Sequence, residues 1–274
     1  MNILTETLTL NNNTNIPIIG FGTWQIPNGK VAYEATSAAL KNGYTHIDTA
    51  LVYGNEESVG KAIADSGIAR EDLFITTKLP AQIKTYEGAL EAFETSLASL
   101  GLDYVDLYLI HAPWPWTDQG GDYTEGNVIA WKALEDIHAT GRAKAIGVSN
   151  FNVKDLQAIL DSGTIIPAVN QIKFYIGHTQ EEIVSFCKDK GIHVEAYSPL
   201  ASGAILNNPK VKAIADKYNK TVAQISIRYT IQRGTVTLPK STHEEYIIQN
   251  ADIDFVIDEE DMAYLNELKG IVNF

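Results

Sequence analysis

Four ionisable side chains stand close to the ends of short, β-branched runs. Asp48 lies in HIDTA (46–50), Tyr53 follows it in the next loop, Lys78 is near the end of LFITTKL (73–79), and His111 closes VDLYLIH (105–111). A tyrosine is a poor acid at neutral pH, but an adjacent ammonium favours its phenolate and lowers the pKa. Lys78 can supply that ammonium, and Asp48 the counter-ion that a lysine in a closed pocket requires. His111 can donate to a substrate oxygen and orient it. The four suit proton delivery to a carbonyl oxygen that is gaining negative charge. They do not suit a hydrolase: no Ser or Cys has a GxSxG-type setting, and His111 has no evident thiol partner. Singly each residue has a plainer use, Asp as a strand-end cap, Tyr as packing, His as a satisfied structural group. The weight lies in finding all four on three successive strand ends.

Two glycine-rich stretches resemble phosphate-binding motifs and fail. Gly20-Phe21-Gly22 opens like a dinucleotide fingerprint, but Gln25 occupies the third glycine position. Gly54 to Lys61 has the wrong glycine spacing for a phosphate loop and is followed by Ala62 rather than Ser or Thr. His46 and Asp48 share a strand face, yet no further His or Cys cluster completes a metal set, so no metal is expected. Any nicotinamide would be held by something other than a Rossmann fold.

What must position the four residues is a repeat. Residues 4–10 and 16–19 flank Asn11–Asn13 and read as an N-terminal β-hairpin. Eight strand candidates follow, at 18–23, 46–50, 73–79, 105–111, 143–149, 167–173, 193–198 and 235–241, with helical periodicity between them. Thr85 and Gly101 bracket one helix, and Asn152 with Asp155 starts another that runs to about Asp161. Thr179 with Glu182 and Thr221 with Gln224 read as capping boxes, stopped by Gly191 and Gly234. Asp258 caps a last helix carrying Met262, Leu265 and Leu268. Eight βα units predict an α/β fold with one (β/α)₈ TIM barrel, in which residues at the C-terminal strand ends form the active site. An open doubly wound sheet is the structural alternative, since alternation alone does not decide closure.

The 274 residues suit one such barrel and show no linker or low-complexity break, so 1–274 is read as a single domain. A net charge of -13 argues against nucleic-acid or anionic-membrane partners and leaves a small-molecule substrate as the default. Cys187 is the one cysteine, which excludes an internal disulfide; its helical spacing from Ile183 assigns it to the core. The start MNILTETLTLNNN has no basic stretch before an apolar run, and no segment is long and apolar enough to span a bilayer, so a cytoplasmic protein is expected.

The longer motifs resemble the aldo-keto reductases. GYTHIDTALVYGNEESVG (43–60) is similar to that family's first signature, AKAIGVSNF (143–151) to its second, and LPKS (238–241) to the start of its third. The chain looks like a small prokaryotic-type member, similar to diketogluconate reductases. The resemblance covers essentially the whole chain and implies reduction of aldehydes or ketones by hydride from NADPH, with Tyr53 as proton donor and NADH as a weaker possibility. By position it gives the cofactor Thr23, Asp48, Ser149, Asn150 and Gln171 near the nicotinamide and its carboxamide, Tyr197 stacked on the ring, and Ser198, Pro199 and Leu200 along the pyrophosphate. Lys240 and Ser241 would meet the 2′-phosphate, with Tyr246 and Asn250 at the adenine. Trp24, Tyr53, His111, Ala112 and Trp114 would face the substrate, Ala112 leaving space bordered by Trp24 with Trp114 or Trp116. A monomer is expected.

Three positions depart from the family pattern. Thr45 stands where Arg is common, and Ala112 where many members carry a bulky aromatic after the histidine. Tyr246 replaces an Arg that would pair with the 2′-phosphate and stack on adenine; tyrosine keeps only the stacking. The long C-terminal specificity loop of some members is expected to be absent or very short. Two other classes of function fit parts of the pattern: a non-catalytic nicotinamide-binding regulatory barrel, and a barrel using Lys78 as a Schiff-base amine.

Overall fold

The structure is a computed structural model that describes residues 2–272. Its first strands, β1 (Thr7–Thr9) and β2 (Asn15–Pro17), form the antiparallel hairpin, with Thr7 opposite Pro17. Among the described residues eight parallel strands follow: β3 (Phe21–Gly22), β4 (His46–Asp48), β5 (Phe74–Leu79), β6 (Val105–Ile110), β7 (Ala143–Ser149), β8 (Val169–Lys173), β9 (His193–Tyr197) and β10 (Val236–Leu238). Each pairs with the next in chain order. The ends of this sheet meet: Ile19 bridges Thr237, the Gly20 amide donates to the Thr237 carbonyl at 2.8 Å, and the Thr237 amide donates to the Ile18 carbonyl at 2.9 Å. The sheet is therefore a closed barrel, and the open doubly wound alternative is excluded.

Helices α1 (Lys30–Lys41), α2 (Glu56–Asp65), α3 (Tyr86–Leu100), α4 (Thr124–Ala139), α5 (Val153–Ser162), α6 (Glu181–Asp189), α7 (Pro209–Lys217), α8 (Val222–Gln232), α9 (Glu244–Ala251) and α10 (Glu259–Glu267) surround it. The expected caps hold for α3, α5, α8 and α10, where Thr85, Asn152, Thr221 and Asp258 each accept from an amide of the first turn. The Thr179–Glu182 capping box does not form. Gln180 takes the cap position in a left-handed conformation (φ 47°), and α6 begins one residue later. The Gln180 side chain instead donates to the Lys173 carbonyl at 2.6 Å and ties the helix start to the end of β8.

Strand alternation divides the core in two. Outward-facing residues such as Ile75, Tyr108 and Ile146 pack under the helices with Phe93, Trp131 and Cys187. Inward-facing Phe74, Leu107, Leu109, Ala145, Val169 and Val236 fill the barrel, and Leu10 and Ile16 of the hairpin join them, plugging its N-terminal mouth. Full burial of each large side chain contributes about 1.5–3 kcal/mol. Packing is tight enough to need glycine at two points. A Cβ on Gly147 would lie 2.5 Å from the Val169 carbonyl oxygen, and one on Gly20 would lie 2.6 Å from Nδ1 of the buried His46 ring. Above this apolar filling the barrel interior turns polar, with His46, Thr76, Lys78, Gln171 and Glu195 all buried. That polar layer is the floor of the site. No helix among the described residues is long and apolar enough to cross a membrane.

Candidate active site

Alternation along β5 puts Phe74, Thr76 and Lys78 on one inward face, so the lysine arrives at the C-terminal mouth of the barrel above an apolar plug. Lys78 is fully buried. Its Nζ donates to Asp48 Oδ1 at 2.7 Å, to Asp48 Oδ2 at 2.8 Å and to the Thr49 carbonyl at 2.8 Å. Tyr53 rides on a 3₁₀ turn (Leu51–Tyr53) that Gly54 ends in a left-handed conformation at φ 66°. Its hydroxyl lies 3.5 Å from Lys78 Nζ and 3.5 Å from His111 Nε2. The four sequence-expected residues thus converge around one hydroxyl.

Their electrostatics differ from expectation at the tyrosine. Burial first, then the negative charges of Asp48 and Glu195, push the Tyr53 phenol well above its ordinary range. The Lys78 ammonium, engaged by Asp48 at 2.7 and 2.8 Å and 3.5 Å from the hydroxyl, does not outweigh these effects. His111 is held well below its ordinary range by burial and by Lys78, so its ring is neutral. Its Nδ1 has no partner among the described residues. The resting site therefore contains a protonated phenol and a neutral imidazole beside a compensated ion pair.

A cleft of about 1100 Å³ opens over this floor. It is lined by Trp24, Val52, Tyr53, His111 and Trp116, by Ser149, Asn150, Gln171 and Tyr197, by Ser198, Pro199 and Leu200, and by Lys240, Ser241, Tyr246 and Asn250. The polar residues are pre-set by one another. Ser149 Oγ donates to the Gln171 carbonyl at 2.9 Å, Tyr197 Oη to Asn150 Oδ1 at 2.8 Å, and Asn150 Nδ2 to the His111 carbonyl at 3.0 Å. Lys240 is exposed and, unlike Lys212 and Lys220, has no carboxylate within salt-bridge distance among the described residues. In an acidic protein such a lysine on a cleft wall suits an anionic ligand group.

Three expected wall residues stand elsewhere. Thr23 is fully buried, and both its amide and its Oγ1 donate to the Asp48 carbonyl at 3.0 Å, so it holds the backbone of Asp48 rather than facing the cleft. Ala112 is also fully buried; its carbonyl accepts from Lys84 Nζ at 2.9 Å behind the wall. Trp114 turns edge-on to Trp116 at 5.2 Å, and Trp116, itself edge-on to His111 at 5.6 Å, is the tryptophan that reaches the cleft.

Sequence reasoning missed the residues that brace these loops. Lys84 also donates to Asn127 Oδ1 at 2.6 Å, while Asn127 Nδ2 donates to the Pro113 carbonyl at 2.9 Å, clamping the chain between His111 and Trp116. Asn55 is fully buried; it accepts from Thr49 Oγ1 and donates to the carbonyls of Thr23 and Ile26, each at 3.0 Å, joining the Tyr53 loop to the Trp24 loop. Glu195 was passed over although a carboxylate in the middle of HVEAYS, at an inward position of a buried strand, is a visible signal.

Eight parallel strands closed on themselves, with Asp48, Lys78 and His111 at successive strand ends and Tyr53 between them, define a barrel of the reductase type. The model of the Aldo/keto reductase family matches residues 18–269, and the chain belongs to that family; it is an oxidoreductase. It is 47% identical over 266 residues to glyoxal reductase of Bacillus subtilis, covering 97% of this chain and 93% of that one. Among solved structures it is similar to an aldo-keto reductase from a Medee basin deep-sea metagenome library (TM-score 0.91, 44% identity, covering 98% of this chain and 97% of that one). It is also similar to the Bombyx mori aldo-keto reductase in complex with NADP (TM-score 0.87, 37% identity, covering 98% and 94%).

Proposed function

We propose that the protein reduces aldehydes and ketones to alcohols with NADPH, and that Tyr53 is the proton donor. The observation that carries this reading is the Tyr53 hydroxyl, held protonated at 3.5 Å from both Lys78 Nζ and His111 Nε2 on the floor of the cleft. A reduced nicotinamide, when bound, supplies the hydride. Ser149, Asn150 and Gln171 offer polar atoms for its carboxamide, Tyr197 a ring face, and Ser198, Pro199 and Leu200 the path of the pyrophosphate. Lys240, without a salt-bridge partner among the described residues, is with Ser241 the place for the 2′-phosphate, and Tyr246 and Asn250 flank the adenine. The NADP bound by the Bombyx mori relative supports this assignment.

The chain's own residues divide the remaining work. His111, neutral, donates one N–H to the carbonyl oxygen and aims it at Tyr53. As the carbonyl carbon takes hydride, its oxygen becomes basic enough to remove the Tyr53 proton, and the alcohol leaves. The phenolate that remains is 3.5 Å from the Lys78 ammonium, whose attraction matters at that moment. Lys78 thus stabilises the product of proton transfer, while Asp48 keeps it charged and fixed. Trp24, Val52 and Trp116 give the substrate end an apolar wall, suited to small activated carbonyls such as the one named for the glyoxal reductase relative.

A turnover assay tests this: purified protein with NADPH and an aromatic or dicarbonyl aldehyde should consume the cofactor and yield the alcohol stoichiometrically. Cofactor binding without turnover across such a panel would instead mark a non-catalytic barrel.

A further inference from the structure

Gln171 has one amide nitrogen and two carboxyl neighbours for it. Nε2 donates to Asp48 Oδ2 at 2.8 Å and to Glu195 Oε2 at 2.6 Å. Both N–H bonds of the amide are thereby used. The terminal torsion of a glutamine is broad, so a single acceptor would leave the group free to turn; two acceptors fix its plane. The reversed amide would set its oxygen 2.8 Å from the Asp48 carboxylate oxygen, which repels it. Gln171 borders the cleft, and its amide oxygen has no hydrogen-bond partner among the described residues.

Glu195 is fully buried on β9, in register with Gln171 on β8 and with Val236 on β10. Packing alone would be met there by an aliphatic residue, as it is by Val169 and Val236 on the same inward face. A carboxyl group at that depth is costly unless it is hydrogen-bonded. We propose that Glu195 is a positioning residue for the nicotinamide: with Asp48 it locks the Gln171 amide so that its oxygen is the atom offered to the carboxamide N–H. The inference rests on the proposed role of Gln171 at the carboxamide.

The surrounding charges allow the lock to work at neutral pH. Burial, then the charge of Asp48, push the Glu195 carboxyl up to about 8, while Gln171 and Lys78 act the other way. His46, whose Nε2 lies 3.6 Å from Glu195 Oε1, is pushed down to about 3 by burial and stays neutral. At neutral pH the interior thus holds one compensated pair, Asp48 with Lys78, beside a Glu195 carboxyl that burial and Asp48 push toward its neutral form and a neutral His46 and Tyr53. A neutral carboxyl keeps a carbonyl oxygen that accepts from Gln171, so the bond survives protonation.

The test compares NADP⁺ with adenosine 2′,5′-bisphosphate, which lacks the nicotinamide, as ligands in calorimetric titrations. Glu195→Met removes the acceptor at similar volume and should weaken NADP⁺ about tenfold, the effect of losing one oriented hydrogen bond, while changing the bisphosphate less than twofold. Glu195→Gln retains a carbonyl acceptor and should stay within about threefold of wild type for both. The double variant with Gln171→Met should bind NADP⁺ no worse than Gln171→Met alone. Unchanged NADP⁺ affinity in Glu195→Met, equal loss for both ligands, or a Gln variant as impaired as Met would each overturn the positioning role. Wild type that binds NADP⁺ no better than the bisphosphate would overturn the nicotinamide assignment itself, and with it the proposed function. If Glu195→Met fails to fold, Glu195→Leu, which likewise lacks an acceptor, replaces it: a loss for NADP⁺ but not for the bisphosphate supports the positioning role, and wild-type discrimination overturns it.

Discussion

Replacing Asp48 by Asn leaves the Lys78 ammonium fully buried without a counter-ion, and the consequence can be sized. In wild type the ammonium has two carboxylate contacts at 2.7 and 2.8 Å and the Thr49 carbonyl at 2.8 Å. Asparagine returns at most one neutral acceptor. Breaking a buried pair by removing one partner costs about 3–5 kcal/mol, because the other charge stays uncompensated. The surviving Thr49 contact places Asp48→Asn near the low end, at about 3 kcal/mol. Lys78→Met orphans Asp48 in turn, against which Gln171 Nε2 is the remaining donor. The double variant contains no orphan charge, so its loss should fall short of the sum by at least about 2 kcal/mol. Urea unfolding of the four proteins, followed by tryptophan fluorescence without cofactor, reads these values as shifts in midpoint at a common slope. Single losses that add within about 0.5 kcal/mol would show that the two residues are not coupled in the folded state and would refute the ion-pair reasoning.

The cofactor end gives a second expectation. Lys240 offers one charge-assisted contact to a 2′-phosphate and Tyr246 none, so NADPH should be preferred over NADH by about one to two orders of magnitude in kcat/KM. Lys240→Ala should nearly close that gap and Tyr246→Arg should widen it, mainly through KM for NADPH; a ratio unaffected by Lys240→Ala would remove that lysine from the phosphate. Lys84→Met should raise KM for bulky carbonyls several-fold while leaving NADP⁺ affinity unchanged, since the clamp braces the wall and not the cofactor cleft; unaltered KM would show that the wall stands without it. Burial lowers Lys84 from 10.5 to about 8, so the folded chain releases this proton before the unfolded chain does. Stability relative to Lys84→Met should accordingly be lowest below pH about 8 and rise between there and 10.5, and parallel profiles in urea titrations would contradict the assignment.

Much of this was legible because it depends on local chemistry. Short β-branched runs marked the barrel strands, since strands buried on both faces read as near-continuous apolar segments, and Thr85, Asn152, Thr221 and Asp258 announced their helices through caps that a hydrogen bond enforces. Asp48, Lys78 and His111 could be found from their place at strand ends, which the barrel makes equivalent. Contacts across long sequence separations were not legible. Nothing near Asp48 in the chain says that Gln171 and Glu195 complete its surroundings, and nothing near Ala112 says that Lys84 and Asn127 turn it away from the cleft and leave Trp116 in its place. The Tyr53 acidity was misjudged for the same reason: the sequence displays an ammonium nearby, but not that Asp48 consumes it or that burial acts more strongly. At α6 a local pattern was overruled when Gln180 found a partner on β8.

The central claim is that Tyr53 gives the proton, and Tyr53→Phe tests it most directly. The ring is kept and one oxygen lost, so the Lys78–Asp48 pair, which does not need that oxygen, should stand. NADP⁺ affinity by calorimetry should remain within about threefold of wild type, while kcat for aldehyde reduction should fall by at least about two orders of magnitude, within the range for loss of a general acid. A variant that binds NADP⁺ normally and retains near-normal kcat would remove Tyr53 from the mechanism.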